Sequence, residues 1–344
     1  MEVTLLPNGN TRDILKSLLG KRVLVIGDLI LDHYLSGNVI RISPEAPVPI
    51  VSLDSDGVRW AAGGAANVAR NILSLGGMPF LAGLIGDDEN GVILLSILQD
   101  KGINTECVVT DAGRQTTTKT RIMARSHQLI RVDSETSLPV EGGISETLIR
   151  NVLGKLPEVD AVVFEDYDKG AIVPMLITSV LSHSREQGIP VAVDPKFRNF
   201  FSYGGCSLFK PNRTEVSRAL GIEIESIERA EEAGERLCSK VPADSVLLTM
   251  GESGSVLCRT GQPSFHLPAA ARHVFDVSGA GDTVIAVMAL AMGAGIPLED
   301  GARFANFAAA AVCAEPGVYA VTQDDILREI GRYSLADGKS ADGC

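Results

Sequence analysis

The chain has 344 residues, 45% hydrophobic and 22% charged, an ordinary globular balance and long enough for one large α/β domain. Its formal net charge of −12 excludes the basic footprint of a nonspecific nucleic-acid binder, so an anionic ligand must be met by a local cluster of Lys and Arg. The six cysteines (Cys107, Cys206, Cys238, Cys258, Cys313 and Cys344) form no Cys-x-x-Cys pair and no zinc-type cluster, as expected for reduced thiols of a cytosolic protein. Met1 to Asn10 lacks the pattern of a signal peptide, and the apolar stretch Val284 to Pro297 is too short and glycine-interrupted to span a membrane, so a cytoplasmic protein is expected.

In chain order, Asp13 to Leu19 reads as a short helix. Val23-Leu24-Val25-Ile26 reads as a strand buried on both faces of a parallel sheet. That strand ends at Gly27-Asp28-Leu29-Ile30-Leu31-Asp32. Ligands of open α/β sheets bind beyond the carboxyl ends of strands, so Asp28 and Asp32 either meet ligand hydroxyls or make Asx-turns. Four β-rich pieces then break the strand–helix alternation: Asn38 to Ile42, Val48 to Val51, Thr116 to Ile122 and Gln128 to Val132. They predict a separate small sheet, inserted at about 33–60 and 114–134, that serves as a lid. Gly63-Gly64-Ala65-Ala66-Asn67 opens a helix, either as a close approach to a ligand or as a glycine turn before a core helix.

Steady alternation follows. Strands are expected at Phe80 to Leu84, Asp160 to Phe164, Pro190 to Asp194, Ser207 to Lys210, Ser245 to Met250 and Ser255 to Cys258. Helices are expected at Gly91 to Leu98, Pro174 to Gln187, Thr214 to Leu220, Ile227 to Val241, Leu298 to Cys313 and Gln323 to Arg332. The pattern predicts an α/β fold, a mostly parallel sheet with helices on both faces, as one domain over 1–335 with a flexible tail at 336–344.

The chemistry centres on Phe275-Asp276-Val277-Ser278-Gly279-Ala280-Gly281-Asp282-Thr283, which leads into the apolar run Val284 to Leu290. Gly279, Ala280 and Gly281 leave the free N–H groups of a helix N-terminus open to an anion. Asp282 is poorly suited to hold phosphate but suited to take a proton from an attacking hydroxyl; the alternative is an acid that interacts with the helix dipole. There is no Walker A loop and no Gly-x-Gly-x-x-Gly after the first strand, so phosphate chemistry must use this turn. Asn212 and Glu215, three apart, either hold a hydrated Mg²⁺ or form a helix capping box. Thr249-Met250-Gly251-Glu252-Ser253-Gly254 is either a hairpin turn or a nucleotide contact.

The octapeptide Asp276 to Thr283 resembles the signature of the ribokinase-like (PfkB) sugar kinases, and the likeness extends over Gly63 to Asn67, Asn212 to Glu215 and Thr249 to Gly254. Arg41 to Pro49, Asp166-Tyr167-Asp168-Lys169-Gly170 and Asp194-Pro195-Lys196 are similar to the branch of D-glycero-β-D-manno-heptose-7-phosphate kinases. The sequence departs from that branch at Glu165, Ala61-Ala62 and Gly317-Val318-Tyr319. The resemblance implies an ATP- and Mg²⁺-dependent kinase that forms the 1,7-bisphosphate on the route to the ADP-heptose of lipopolysaccharide; the alternative is a kinase of the same family for another sugar or sugar phosphate. It leaves room for a monovalent cation and implies a homodimer formed through the lid sheets. Relatives often carry a second, adenylyltransferase domain, for which this chain has no room, so a monofunctional kinase is expected. By the resemblance Asp282 is the base, and Gly279, Ala280 and Gly281 form the anion hole. Asn212, Arg213, Thr214, Glu215, Thr249, Gly251 and Gly254 lie at the nucleotide, with Asn212 and Glu215 at the metal. Asp28, Asp32, Gly63, Gly64, Asn67 and Asp194 are expected around the sugar, with Lys169, Lys196, Arg121 and Arg131 as the phosphate-recognising cations.

Overall fold

The computed structural model describes residues 11–125, 127–271, 274–315 and 317–338. The expectations for Met1 to Asn10 and for the tail beyond Gly338 lie outside the described residues. The chain starts with α1 (Thr11–Ser17) and β1 (Arg22–Gly27), leaves the main sheet along β2 (Leu29–Ile42) and returns along β3 (Pro49–Gly64). It continues through α2 (Ala65–Ser74), β4 (Met78–Gly86), α3 (Glu89–Asp100) and β5 (Asn104–Asp111). A second excursion, β6 (Thr117–Ala124) and β7 (His127–Ser134), precedes α4 (Gly142–Lys155). Next come β8 (Ala161–Glu165), α5 (Pro174–Gln187), β9 (Val191–Asp194), β10 (Leu208–Phe209), α6 (Arg213–Leu220) and α7 (Ile227–Lys240). The last elements are β11 (Val246–Thr249), β12 (Ser255–Arg259), β13 (Gln262–Leu267), α8 (Ala280–Gly293), α9 (Leu298–Cys313) and α10 (Gln323–Gly338), so helix continues into the expected tail.

The main sheet has nine strands in the order β13-β12-β11-β10-β9-β8-β1-β4-β5. Pairing is parallel from β11 to β5, and β12 and β13 add an antiparallel edge. From β1 the chain winds one way through β4 and the other way through β8, so the strand order reverses between β1 and β8. A crevice opens at such a reversal, beyond the carboxyl ends of the strands. Each central strand alternates between two apolar layers. Val23, Val25, Ala161, Val163, Ala192 and Leu208 face the layer containing α2, α8 and α9. Leu24, Ile26, Val162, Phe164, Val193 and Phe209 face the layer containing α4, α5 and α7.

This alternation sets the site. By the two-residue period, Glu165, Asp194 and Lys210 follow Val163, Ala192 and Leu208 on the α8 side. Glu165 pairs in register with Asp194, and Lys210 follows the pair Phe209–Val193. One row of charges therefore crosses three adjacent strand ends beneath the first turn of α8.

The lid is a four-stranded sheet, β3-β2-β6-β7, built from the four expected pieces. Its first two strands are longer than the pattern suggested and begin and end at the main sheet, at Leu29 and Gly64. Register puts Ala61, Asp32, Lys119 and Asp133 in one row, and Arg59, Tyr34, Arg121 and Arg131 in the next row of the same face. The opposite face carries His33, stacked on Trp60 at 3.6 Å, with Leu35, Val58, Ile122, Ile130 and Val132. Among the described residues no helix is long and apolar enough to cross a membrane. Cys107, Cys206, Cys238, Cys258 and Cys313 are buried free thiols.

Candidate active site

α8 is apolar all round and buried from Asp282 to Ala291, so its N-terminus is delivered to the crevice by the core itself. Gly279 caps it at φ 81°, a left-handed conformation that suits glycine, and a Cβ there would lie 3.0 Å from Asn67 Nδ2. Asp282 is 7% exposed. Asn67 Nδ2 donates to its Oδ2 at 2.7 Å, and Tyr167 Oη donates to its Oδ1 at 3.0 Å. Burial raises the carboxyl above its ordinary pKa, while the Asn67 hydrogen bond works against that shift. Asn67 itself is fully buried, and its Oδ1 accepts no hydrogen bond. A buried acceptor of that kind awaits a donor.

Asp28 has a structural task that the sequence did not reveal. Its Oδ2 accepts from the amides of Tyr167 (2.8 Å) and Lys169 (2.9 Å), and its Oδ1 from the amide of Ala171 (3.1 Å). Asp28 pins the loop after β8 and so sets the ring of Tyr167 beside Asp282. Burial, with Asp166 nearby, pushes the Asp28 carboxyl up to about 6.

Asp32 is 4% exposed and paired with Arg121. Gly63 makes room for it, because a Cβ at Gly63 would lie 2.3 Å from Asp32 Oδ2. A Cβ at Gly64 would lie 2.5 Å from the Asp28 carbonyl oxygen. The expected phosphate cations are also engaged: Lys169 with Glu135 at 2.8 Å, and Arg131 with Asp133 at 2.8 Å. Lys119, which sequence reading missed, makes no ion pair among the described residues, and its ammonium lies 5.1 Å from the centre of the Tyr167 ring.

At the other end, Asn212 and Glu215 form a complete capping box on α6, as one of the two sequence readings expected. Asn212 Oδ1 accepts from the Glu215 amide at 2.9 Å, and Glu215 Oε2 from the Asn212 amide at 2.8 Å. The other Glu215 oxygen pairs with Lys196. Burial opposes the charge on Lys196, but Asp194 and Glu215 outweigh it and hold its pKa above the usual lysine value. Arg213 and Thr214 are exposed on the same first turn. Thr249 bridges to Asn212, and Gly251 to Ser253 form a one-turn 3₁₀ link between the antiparallel strands β11 and β12, the hairpin reading of that motif.

Lys210 is the second residue that the sequence reading missed. It is 2% exposed, its Nζ lies 2.6 Å from Asp194 Oδ2, and a Cβ on Gly281 would lie 3.6 Å from that Nζ. Glu165 beside it is 1% exposed, with Oε2 unpartnered. Burial, then Asp194 and Asp282, drive its carboxyl well above the usual range, and Lys210 and Lys196 oppose this. The signal was a lysine at the end of an apolar two-residue strand, Leu208-Phe209, where a buried charge needs a partner.

A doubly wound sheet, a β lid and a buried carboxylate at a glycine-opened helix N-terminus define a phosphotransferase that acts on a sugar hydroxyl. The chain belongs to the pfkB family of carbohydrate kinases, whose model matches residues 21–325. It is 42% identical over 324 residues to the bifunctional protein HldE of Caulobacter sp. (strain K31), covering 94% of this chain and 64% of that protein. To the HldE of Trichlorobacter lovleyi it is 40% identical over 310 residues, 90% of this chain and 62% of the relative. The chain thus spans somewhat less than two thirds of these two relatives. The fold matches phosphofructokinase-2 from Escherichia coli in complex with potassium (TM-score 0.73, 20% identity, 92% of this chain and 99% of that one). It also matches Arabidopsis thaliana ribokinase complexed with ribose and ATP (TM-score 0.70, 22% identity, 91% and 99%).

Proposed function

We propose that the chain transfers the γ-phosphoryl of MgATP to O1 of D-glycero-β-D-manno-heptose 7-phosphate, giving the 1,7-bisphosphate that feeds ADP-heptose and lipopolysaccharide synthesis in the cytoplasm. The observation that carries this reading is the buried Asp282 carboxylate beside the unsatisfied Oδ1 of Asn67, at the open N-terminus of α8. Asp282 takes the proton of the attacking hydroxyl. Asn67 Oδ1 accepts from a neighbouring hydroxyl, and Asp32 takes another. The N–H groups at Gly279 and Gly281 face the phosphoryl oxygens, where charge is spread in the transition state; that of Ala280, expected in the same anion hole, instead donates to the Val277 carbonyl at 3.2 Å. Tyr167 orients the base through its hydroxyl. The substrate assignment rests on the HldE relatives and on the cationic face of the lid, where Lys119, Arg121 and Arg131 gather near Lys169. The apolar opposite face of the lid supports a homodimer that covers it.

Thr249, Gly251, Gly254, Arg213 and Thr214 surround the proposed nucleotide end. Among the described residues no three His, Cys, Asp or Glu stand together as a metal cluster, so the cation would arrive with the nucleotide. The donors near it are oxygens already used in the capping box, which fits a hydrated Mg²⁺ held through water by Asn212 and Glu215. Mg²⁺ would supply positive charge that neutralises the phosphate oxygens. Glu215→Gln keeps the acceptor for the Asn212 amide and removes the charge. Unfolding free energy is expected to fall by about 1–3 kcal/mol, because the cap is kept while the largely buried pair with Lys196 is lost. The Mg²⁺ concentration for half-maximal rate is expected to rise severalfold. An unchanged Mg²⁺ midpoint would leave Glu215 as a cap alone.

The whole reading is tested by ADP release with MgATP and a panel of heptose 7-phosphate, heptose, ribose and fructose 6-phosphate. The highest kcat/KM is expected for heptose 7-phosphate. Equal values for that compound and free heptose would point to a kinase of a neutral sugar.

A further inference from the structure

The cations best placed to recognise a phosphate by sequence are matched by acids in the fold: Arg121 by Asp32, Arg131 by Asp133 and Lys169 by Glu135. Two guanidiniums at the opposite edge of the same crevice are not. Arg59 starts the lid row Arg59–Tyr34–Arg121–Arg131, and its guanidinium carbon lies 4.3 Å from the centre of the Tyr34 ring. Arg70 stands on α2, one turn beyond Asn67, and its Nη1 donates to the Ala62 carbonyl at 3.4 Å. Among the described residues neither arginine makes an ion pair, although the chain holds 43 Asp and Glu against 31 Lys and Arg. Burial, and after it the nearby Arg59, lower the pKa of Arg70, while Tyr34 and Asp32 oppose the shift. Asp32 lies within reach of Arg70 but is in direct contact with Arg121, so the like-charge pair is only partly offset and an anion that joins it is favoured.

The surroundings suit a ligand. A Cβ on Gly317 would lie 3.2 Å from Arg59 Nη2, so the glycine lets the Arg59 guanidinium pack close against it beside Tyr34. Tyr34 and Asp32 lie within electrostatic reach of Arg70, and Arg121 packs 5.3 Å from the centre of the Tyr34 ring. Arg59 lies in the lid row next to that of Asp32, and Arg70 lies one turn beyond Asn67, whose amide donates to Asp282. Planar guanidinium forks match the oxygens of a phosphomonoester, which they can grip in pairs.

We propose that Arg59 and Arg70 form an anion subsite at the edge between lid and α2, and that it takes the phosphomonoester of the acceptor sugar. This rests on the reading of the chain as a sugar-phosphate kinase and names the residues that would make the phosphate count. The test measures initial rates with MgATP on heptose 7-phosphate and on heptose, for the wild type, Arg59→Gln, Arg70→Gln and Arg70→Lys. The ratio of kcat/KM for the phosphorylated over the free sugar is expected to fall at least tenfold in both glutamine variants and to recover in part with lysine. An unchanged ratio in both glutamine variants overturns the subsite. Arg59 is exposed, so its variant remains informative if Arg70→Gln folds poorly. If the wild type does not turn over heptose 7-phosphate, the substrate reading has failed and inorganic phosphate alone judges the subsite. A thermal upshift by phosphate that is present in the wild type and lost in Arg70→Gln then sustains it; no upshift, or an equal one, overturns it.

Discussion

Asp282→Asn is expected to lower turnover by about 10²–10⁴-fold, the usual worth of a positioned general base, while the fold survives. The neighbours explain both halves. Asn67 donates to one carboxylate oxygen and Tyr167 to the other. An asparagine can keep its oxygen towards Asn67 and turn its NH₂ towards Tyr167, whose hydroxyl can reverse to accept. What disappears is the lone pair that receives the proton. Because burial raises the pKa of Asp282, wild-type turnover should fall with decreasing pH at a point above the ordinary carboxylate value. Stability follows the linked sign: a raised folded-state pKa favours the fold at low pH, and that advantage is lost as pH rises through it. The stability of Asp282→Asn relative to wild type should therefore increase with pH over that window. Near-normal turnover at neutral pH would remove Asp282 from the chemistry.

Asp28→Ala should be the most destabilising single change near the crevice. It strands three buried amides, those of Tyr167, Lys169 and Ala171. An unsatisfied buried donor costs about 1–3 kcal/mol, so a loss of about 3–5 kcal/mol in denaturant unfolding is expected once the relief of a buried carboxyl is allowed for. Asp28 is held at about 6 in the fold, against an ordinary 3.8. Its protonation thus favours the folded state, fully below the ordinary value, and the gain is lost as pH rises through 6. The stability gap between wild type and Asp28→Ala should narrow accordingly between about pH 4 and 6. A gap under about 1 kcal/mol, with only the sugar KM raised, would return Asp28 to the role of a sugar ligand.

The layered sheet was legible because β1 and β8 to β10 are short apolar runs and α8 is apolar throughout. The lid was legible because its pieces interrupt that rhythm. β5 was missed because its burial is mixed and it lies at the sheet edge, with Thr105 and Glu106 in its first half. β13 is an exposed antiparallel edge strand that starts with Gln262-Pro263. α4 starts at two glycines and has a weak apolar stripe. At the site, the Gly279 turn, Asp282, Asn67 and the Asn212–Glu215 pair could be read because each motif is local. The acid partners of Arg121 and Lys169, the amides that hold Asp28 and the partner of Lys210 come from distant segments. Their identities depend on strand register, which no local pattern states.

Glu165, Asp194 and Lys210 also guard the assembly of the sheet that carries them. Side chains alternate along a strand, so slipping β8, β9 or β10 by one residue would turn one of these charges into the opposite layer, among Phe164, Val193 and Phe209. An ion stranded there without its partner would cost about 3–5 kcal/mol, a large part of a domain's whole stability. Misthreaded sheets are therefore rejected by the same residues that lie beneath the helix turn of the active site. Replacing the row with apolar side chains would remove that proofreading together with the charges.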